Sequence, residues 1–190
     1  MKHFYIILTN IFLSISFCFG QQYNVEKINK KAITQYNLAL DRAQNGEYDK
    51  ALEFVDKAIQ IDARYLDAYL TKAGIYGGLR DYENCVANYE KAFALDTEYS
   101  KDYKLPYAIN LAGLGKFQQA LDAVTQFLDN PNLNEPSRKA GEYRKRCFAF
   151  AVQYDKDHPA KNYVFAPKNM GDSINTADLE YYPSVTIDDK

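Results

Sequence analysis

Tryptophan is absent from the 190 residues, and histidine and cysteine are scarce, at two and three. Chemistry that needs clusters of these residues is therefore excluded from the outset. One histidine, His3, lies at the extreme N-terminus, which leaves only His158 in the body of the chain. A histidine zinc site and a Ser-His-Asp triad have no basis in a single histidine. Cys85 and Cys147 stand far apart with no Cys-x-x-Cys spacing, which supports neither a metal site nor a disulfide framework. No cofactor is implied. Charge of one sign is missing too: 23 basic residues face 25 acidic ones, for a net charge of −2. Without a basic field a nucleic-acid partner has no support. Of six prolines, three lie beyond residue 155, so helices are little obstructed before that point and interrupted after it. What is plentiful is tyrosine, 17 residues beside 11 phenylalanines: rings that pack and also present a hydroxyl.

The one long apolar run, Phe4 to Phe19, follows a positive Met1-Lys2-His3 start and is diluted by Thr9, Asn10, Ser14 and Ser16. It is too short and too polar for a membrane span. With Gly20 ahead of Gln21-Gln22, residues 1–20 read as a Sec-type signal peptide cut after Gly20. Lipid attachment at Cys18 is the alternative, disfavoured by the bulk of Phe17 before it. The expected location is the periplasm, with no transmembrane segment after cleavage and conditions that allow disulfides.

The body repeats itself. Gly46-Glu47-Tyr48-Asp49-Lys50-Ala51-Leu52 aligns with Arg80-Asp81-Tyr82-Glu83-Asn84-Cys85-Val86 and with Gly115-Lys116-Phe117-Gln118-Gln119-Ala120-Leu121. The small residues Ala51, Cys85 and Ala120 hold this register, as do Ala39, Ala73 and Ala108 upstream. Ala58 and Ala92 extend it, and Phe127 breaks it in the third copy. Apolar residues within each unit fall at helical spacing on either side of a short turn, so each unit is expected to be two helices. Small side chains let paired helices approach closely, and the aromatics at 48, 82 and 117 are expected to wedge beneath the turns. Units are placed at 32–65, 66–100 and 101–131. A seventh helix over 136–157 (about Ser137 to Tyr154 at its core) covers the open end, because a terminal unit must hide its last apolar face.

This pattern resembles the tetratricopeptide repeat family over residues 32 to about 131. Arg42 and Lys72 depart from it, standing where that family favours apolar or aromatic residues, and the closing proline is replaced by Ala63, Thr97 and Asn132. The resemblance implies an all-α solenoid of three helix pairs plus a capping helix, spanning 21–158. It also implies a non-catalytic protein that binds peptides or helices along the first helix of each pair. The positions lining that concave groove are Tyr36 and Leu40, Asp67 and Leu70, and Asp102, Leu105 and Ile109. Family members that grip a C-terminal carboxylate use Lys and Asn where this chain has Tyr36 and Leu40, so that clamp is missing. A hydrophobic or helical ligand fits better. The competing expectation is that Tyr23–Lys31 or the seventh helix packs into the same groove.

From His158-Pro159 the helical pattern ends, and Leu179 to Ile187 alternates as a strand does. A lone strand cannot satisfy its backbone groups. Residues 159–190 are therefore expected to be a linker and the first strand of a truncated β-propeller. Cys147-Phe148-Ala149-Phe150-Ala151, Asn169-Met170-Gly171-Asp172-Ser173-Ile174-Asn175-Thr176 and Glu180-Tyr181-Tyr182-Pro183-Ser184 resemble a junction in Bacteroidota envelope proteins. Those proteins join a tetratricopeptide domain to a WD-repeat-like propeller and an OmpA-like peptidoglycan-binding domain, and some serve type IX secretion. The resemblance implies protein partners in the cell envelope, with peptidoglycan bound only by a domain that these residues do not include.

Two motifs remain. Gly113-Leu114-Gly115-Lys116 lacks the spacing and the Ser or Thr of a phosphate loop and falls on a repeat turn. Arg138, Lys139, Arg144, Lys145 and Arg146 make a basic cluster on the seventh helix. It reads as a solvated face, or as a docking patch for an acidic partner or an anionic wall polymer. The second functional reading is a free periplasmic adaptor or chaperone-like protein that holds clients. No nucleophile–base pair suggests an enzyme.

Overall fold

The computed structural model describes residues 22–157; the expected leader and the expected propeller strand lie outside them. Contacts divide the chain after Tyr154, and only Asp155–Asp157 of the second unit fall among the described residues. Seven α-helices follow one another: α1 Lys30–Gln44, α2 Tyr48–Ile61, α3 Leu66–Gly78, α4 Tyr82–Leu95, α5 Lys104–Gly113, α6 Phe117–Leu128 and α7 Glu135–Asp157. Short 3₁₀ turns at Val25–Lys27 and Lys101–Tyr103 precede α1 and α5. No strand occurs among the described residues.

The turn inside each pair is the same device three times. After α1, Gly46 takes φ +75, and Glu47 N–H donates to Arg42 O at 2.9 Å. After α5, Gly115 takes φ +72, and Lys116 N–H donates to Leu111 O at 3.0 Å. These are Schellman closures, in which a left-handed residue lets the chain reverse and satisfies an orphan carbonyl. After α3 the left-handed place falls to Arg80, at φ 59, and Asp81 N–H donates to Tyr76 O at 2.9 Å. Such short turns bring α1 against α2, α3 against α4 and α5 against α6.

The repeating small residues are where the helices meet. Ala39, Ala51, Ala58, Ala73, Cys85, Ala92, Ala108 and Ala120 are fully buried. Between them sit Val55, Leu66, Leu111 and Val124, each worth about 1.5–3 kcal/mol relative to exposure. Successive clusters run from α1 and α2, through α3 and α4, to α5, α6 and Phe148 of α7. Phe127, the break in the third copy, is buried and has its own compensation. A Cβ on Gly141 of α7 would lie 3.1 Å from the Phe127 ring and 2.8 Å from Leu128. A large ring on α6 is accommodated because α7 offers no side chain there.

The two basic departures from the repeat pattern are paired rather than stranded. Lys72 Nζ lies 2.5 Å from Asp56 Oδ1, which joins α3 to α2, and it also faces the Tyr76 ring. Arg42 lies 3.2 Å from Glu47 across the first turn. Of the expected wedges, Tyr82 packs against Gly113, where a Cβ would stand 2.9 Å from its ring. Tyr48 does not wedge. It is 43% exposed, although it opens α2 just as Tyr82 opens α4. The third unit also begins later than its register suggests, since Lys101–Tyr103 form a 3₁₀ turn before α5.

Candidate functional site

The first helices of the three pairs, α1, α3 and α5, present equivalent positions that recur from pair to pair. Tyr36 and Leu40 of α1 are half-buried, and so is Leu105 of α5, while Ile109 is 39% exposed. Gly74, at the corresponding place on α3, is exposed, with nothing within 4 Å of a would-be Cβ. The middle of this face is therefore bare backbone between apolar side chains. Leu70 does not line it. At 5% exposure it belongs to the core with Leu66, Ala73, Cys85 and Tyr89, although Tyr36 and Leu105 hold the same repeat position.

Polar groups on this face are already satisfied by hydrogen bonds. Tyr36 Oη lies 2.9 Å from Thr71 Oγ1, and its ring packs 4.9 Å from that of Tyr65. Asp67 accepts two phenols: Tyr23 donates to Oδ2 at 2.8 Å and Tyr99 to Oδ1 at 2.9 Å. Burial and the Asp67 carboxylate push the Tyr99 hydroxyl up to about 12 and raise that of Tyr23 further. Asp102 is exposed and accepts from Asn130 Nδ2 at 2.8 Å. Tyr103, raised chiefly by burial, feels both Asp67 and Asp102.

The N-terminal segment, which carries no repeat, packs against Asp67 and the C-terminal ends of α2 and α4. Tyr23 sets its ring edge-on to Tyr99, with centroids 4.7 Å apart, and touches core residues of the first two pairs. Its N–H donates to Asp96 Oδ2 at 2.7 Å, and the Asn29 N–H donates to Asp62 Oδ2 at 3.1 Å. A cleft of about 300 Å³ opens beside it, among Lys27, Ile28, Arg64, Ala94 and Leu95. The signal for Tyr99 was present in the sequence, since Tyr65 and Tyr99 occupy the same place in successive units. Nothing in the periodicity marked Tyr23.

The basic cluster of α7 does not converge. At about 100° per residue, Arg138 with Lys145 and Lys139 with Arg146 form two rows, while Arg144 lies on a third side. Arg138 is half-buried and the other four are exposed. Lys139 pairs with Glu135 at 3.3 Å, and Arg144 stands by the Tyr143 ring. The same helix exposes Tyr143 and Phe150, at 56% and 71%. Among the described residues no cluster of three His, Cys, Asp or Glu side chains could hold a metal ion. None of their helices is long and apolar enough to cross a membrane.

Three successive helix pairs followed by one more helix define a helical-repeat protein. Residues 32–65 and 66–99 match the tetratricopeptide repeat model, and the fold is the helical-repeat fold of such proteins. The first tetratricopeptide domain of Spaghetti (RPAP3), bound to the HSP90 peptide SRMEEVD, superposes with a TM-score of 0.59 at 19% identity. It covers 66% of this chain and 97% of that one. The Yersinia enterocolitica type III secretion chaperone SycD, with a peptide of the translocator YopD, gives 0.56 at 17%, over 67% and 96% of the two chains. In sequence, the chain is 27% identical over 120 residues to tetratricopeptide repeat protein 16 of Macaca fascicularis. That match covers 62% of this chain and only 13% of the relative's length. Tetratricopeptide repeats ordinarily form non-catalytic scaffolds for protein–protein interaction, and the chain has the fold for that role.

Proposed function

We propose that this chain is a non-catalytic interaction scaffold of the bacterial cell envelope, held in the periplasm, whose concave face takes a protein partner. The observation that carries the reading is the surface formed by Tyr36, Leu40 and Ile109 around the bare backbone of Gly74. Apolar side chains beside an open floor suit the apolar face of a helix or the side chains of an extended peptide. Structural neighbours carry peptides, from HSP90 in one case and YopD in another, which agrees with such a use of the fold. The envelope setting is supported by the leader-like residues 1–20 and by the junction-like motifs at 147–151, 169–176 and 180–184. Within that setting the partner belongs to an outer-membrane, peptidoglycan-associated or type IX secretion assembly, and contact with the wall falls to a separate OmpA-like domain.

A photo-crosslinking residue at Leu40 or Ile109, used in intact cells, tests this. The expected result is one adduct of fixed stoichiometry in the envelope fraction, lost when Ile109→Asp is combined with the Leu40 probe. A ladder of many clients would overturn the scaffold in favour of the adaptor reading. Recovery of the chain in the cytosol would remove the envelope setting.

A further inference from the structure

We propose that the segment Gln22–Asn29 is a resident ligand of the edge where the helix pairs join, beside Asp62, Asp67 and Asp96, and that a partner engaging that edge must displace it by offering an extended stretch with a tyrosine. The proposal rests on the groove reading above and adds regulation to it. Asp62 and Asp96 occupy the same place in successive repeats, and each accepts one backbone N–H from this segment, Asn29 at Asp62 and Tyr23 at Asp96. The segment thus runs across the repeats, held by equivalent carboxylates that any extended chain could use. Selectivity comes from the side chain between: the Tyr23 hydroxyl on Asp67 and its ring on Tyr99.

The hold is a light one. Of residues 22–29 only Ile28 is buried and Tyr23 half-buried; Gln22, Asn24, Val25, Glu26, Lys27 and Asn29 are exposed. Ile28 is a fourth anchor, packed in the core with Ala32 and Ala39, so exchange is confined to the stretch from Gln22 to Lys27. The strap continues directly into α1 at Lys30, so it competes as an intramolecular ligand, at an effective concentration on the order of millimolar. A free segment of equal chemistry therefore binds poorly until the strap is removed.

The test uses a synthetic peptide of residues 22–30, titrated against the unchanged chain and against Tyr23→Ala. With the strap unlatched, the peptide is expected to bind at least about tenfold more tightly than to the unchanged chain. A peptide carrying Phe in place of its Tyr should bind more weakly. Hydrogen exchange gives a second readout: Tyr23→Ala should lose protection at residues 23–27 while α2 to α6 keep theirs. Tyr23→Phe, which removes only the hydroxyl, should do the same to a smaller degree and guards against misfolding of the alanine variant. Equal peptide binding to both chains, or unchanged exchange at 23–27 in Tyr23→Ala, would overturn the proposal. Neither readout needs the envelope partner, so failure of the groove function and failure of the strap are separable.

Discussion

Gly113 of α5 lies under the ring of Tyr82, which starts α4, so closely that a Cβ there would stand 2.9 Å from the ring carbons. This contact joins the second pair to the third. Gly113→Ala should destabilise by about 1–3 kcal/mol through overpacking. Gly141→Ala should do the same at the α6–α7 contact, where Leu128 and Phe127 leave no room. Chemical denaturation of each variant measures the cost. In a double-mutant cycle, Tyr82→Ala should remove most of the Gly113→Ala penalty, and full additivity would show that the contact is not the cause.

Arg80 holds a left-handed conformation that glycine takes in the other two turns. Arg80→Gly should stabilise the chain by about 0.5–1 kcal/mol, because glycine reaches φ > 0 without Cβ strain. Gly46→Ala and Gly115→Ala should each lose about 1 kcal/mol for the mirror reason. Thermal midpoints read all three, and a loss in Arg80→Gly would mean that its side chain holds the turn by other contacts.

Acid should loosen the loops between pairs first. Arg64 hydrogen bonds, with the Asn29 N–H, hold the Asp62 carboxyl below its usual range; the Tyr23 and Tyr99 N–H groups do so for Asp96. A depressed folded pKa stabilises the native chain fully above the unfolded value of about 4, and that share is lost as pH falls through the folded values. Denaturation midpoints should therefore stay level from these two groups near neutrality and drop in the region below pH about 4. Asp62→Asn and Asp96→Asn should each be less stable at pH 7 and show a shallower acid slope. An unchanged slope in both would remove these carboxylates from the account.

Cys85 is fully buried between α3 and α4, and burial pushes its thiol up to about 11. Cys147 is half-buried. In the native chain a maleimide should label Cys147 within minutes and Cys85 only at the rate of unfolding. Peptide mapping of the modified sites tells them apart; rapid native labelling of Cys85 would place it at an open surface.

The helices and their pairing were legible in the amino-acid pattern alone. A period of 34 or 35 residues, small residues in a fixed register and Gly46 and Gly115 at the turns are local features, readable without tertiary contacts. The same register placed Tyr36, Leu40 and Ile109 on the first helices of their pairs, where the first two are half-buried and the third is exposed. Leu70 is buried although Tyr36 and Leu105 share its repeat position, and Tyr48 is exposed although Tyr82 shares its own, so repeat position alone does not set burial. It could not show that Tyr23, outside every repeat, reaches Asp67 in the second one. Where the N-terminal segment packs was not legible, because a non-repeating segment carries no period and its place is fixed by contacts across more than forty residues of chain.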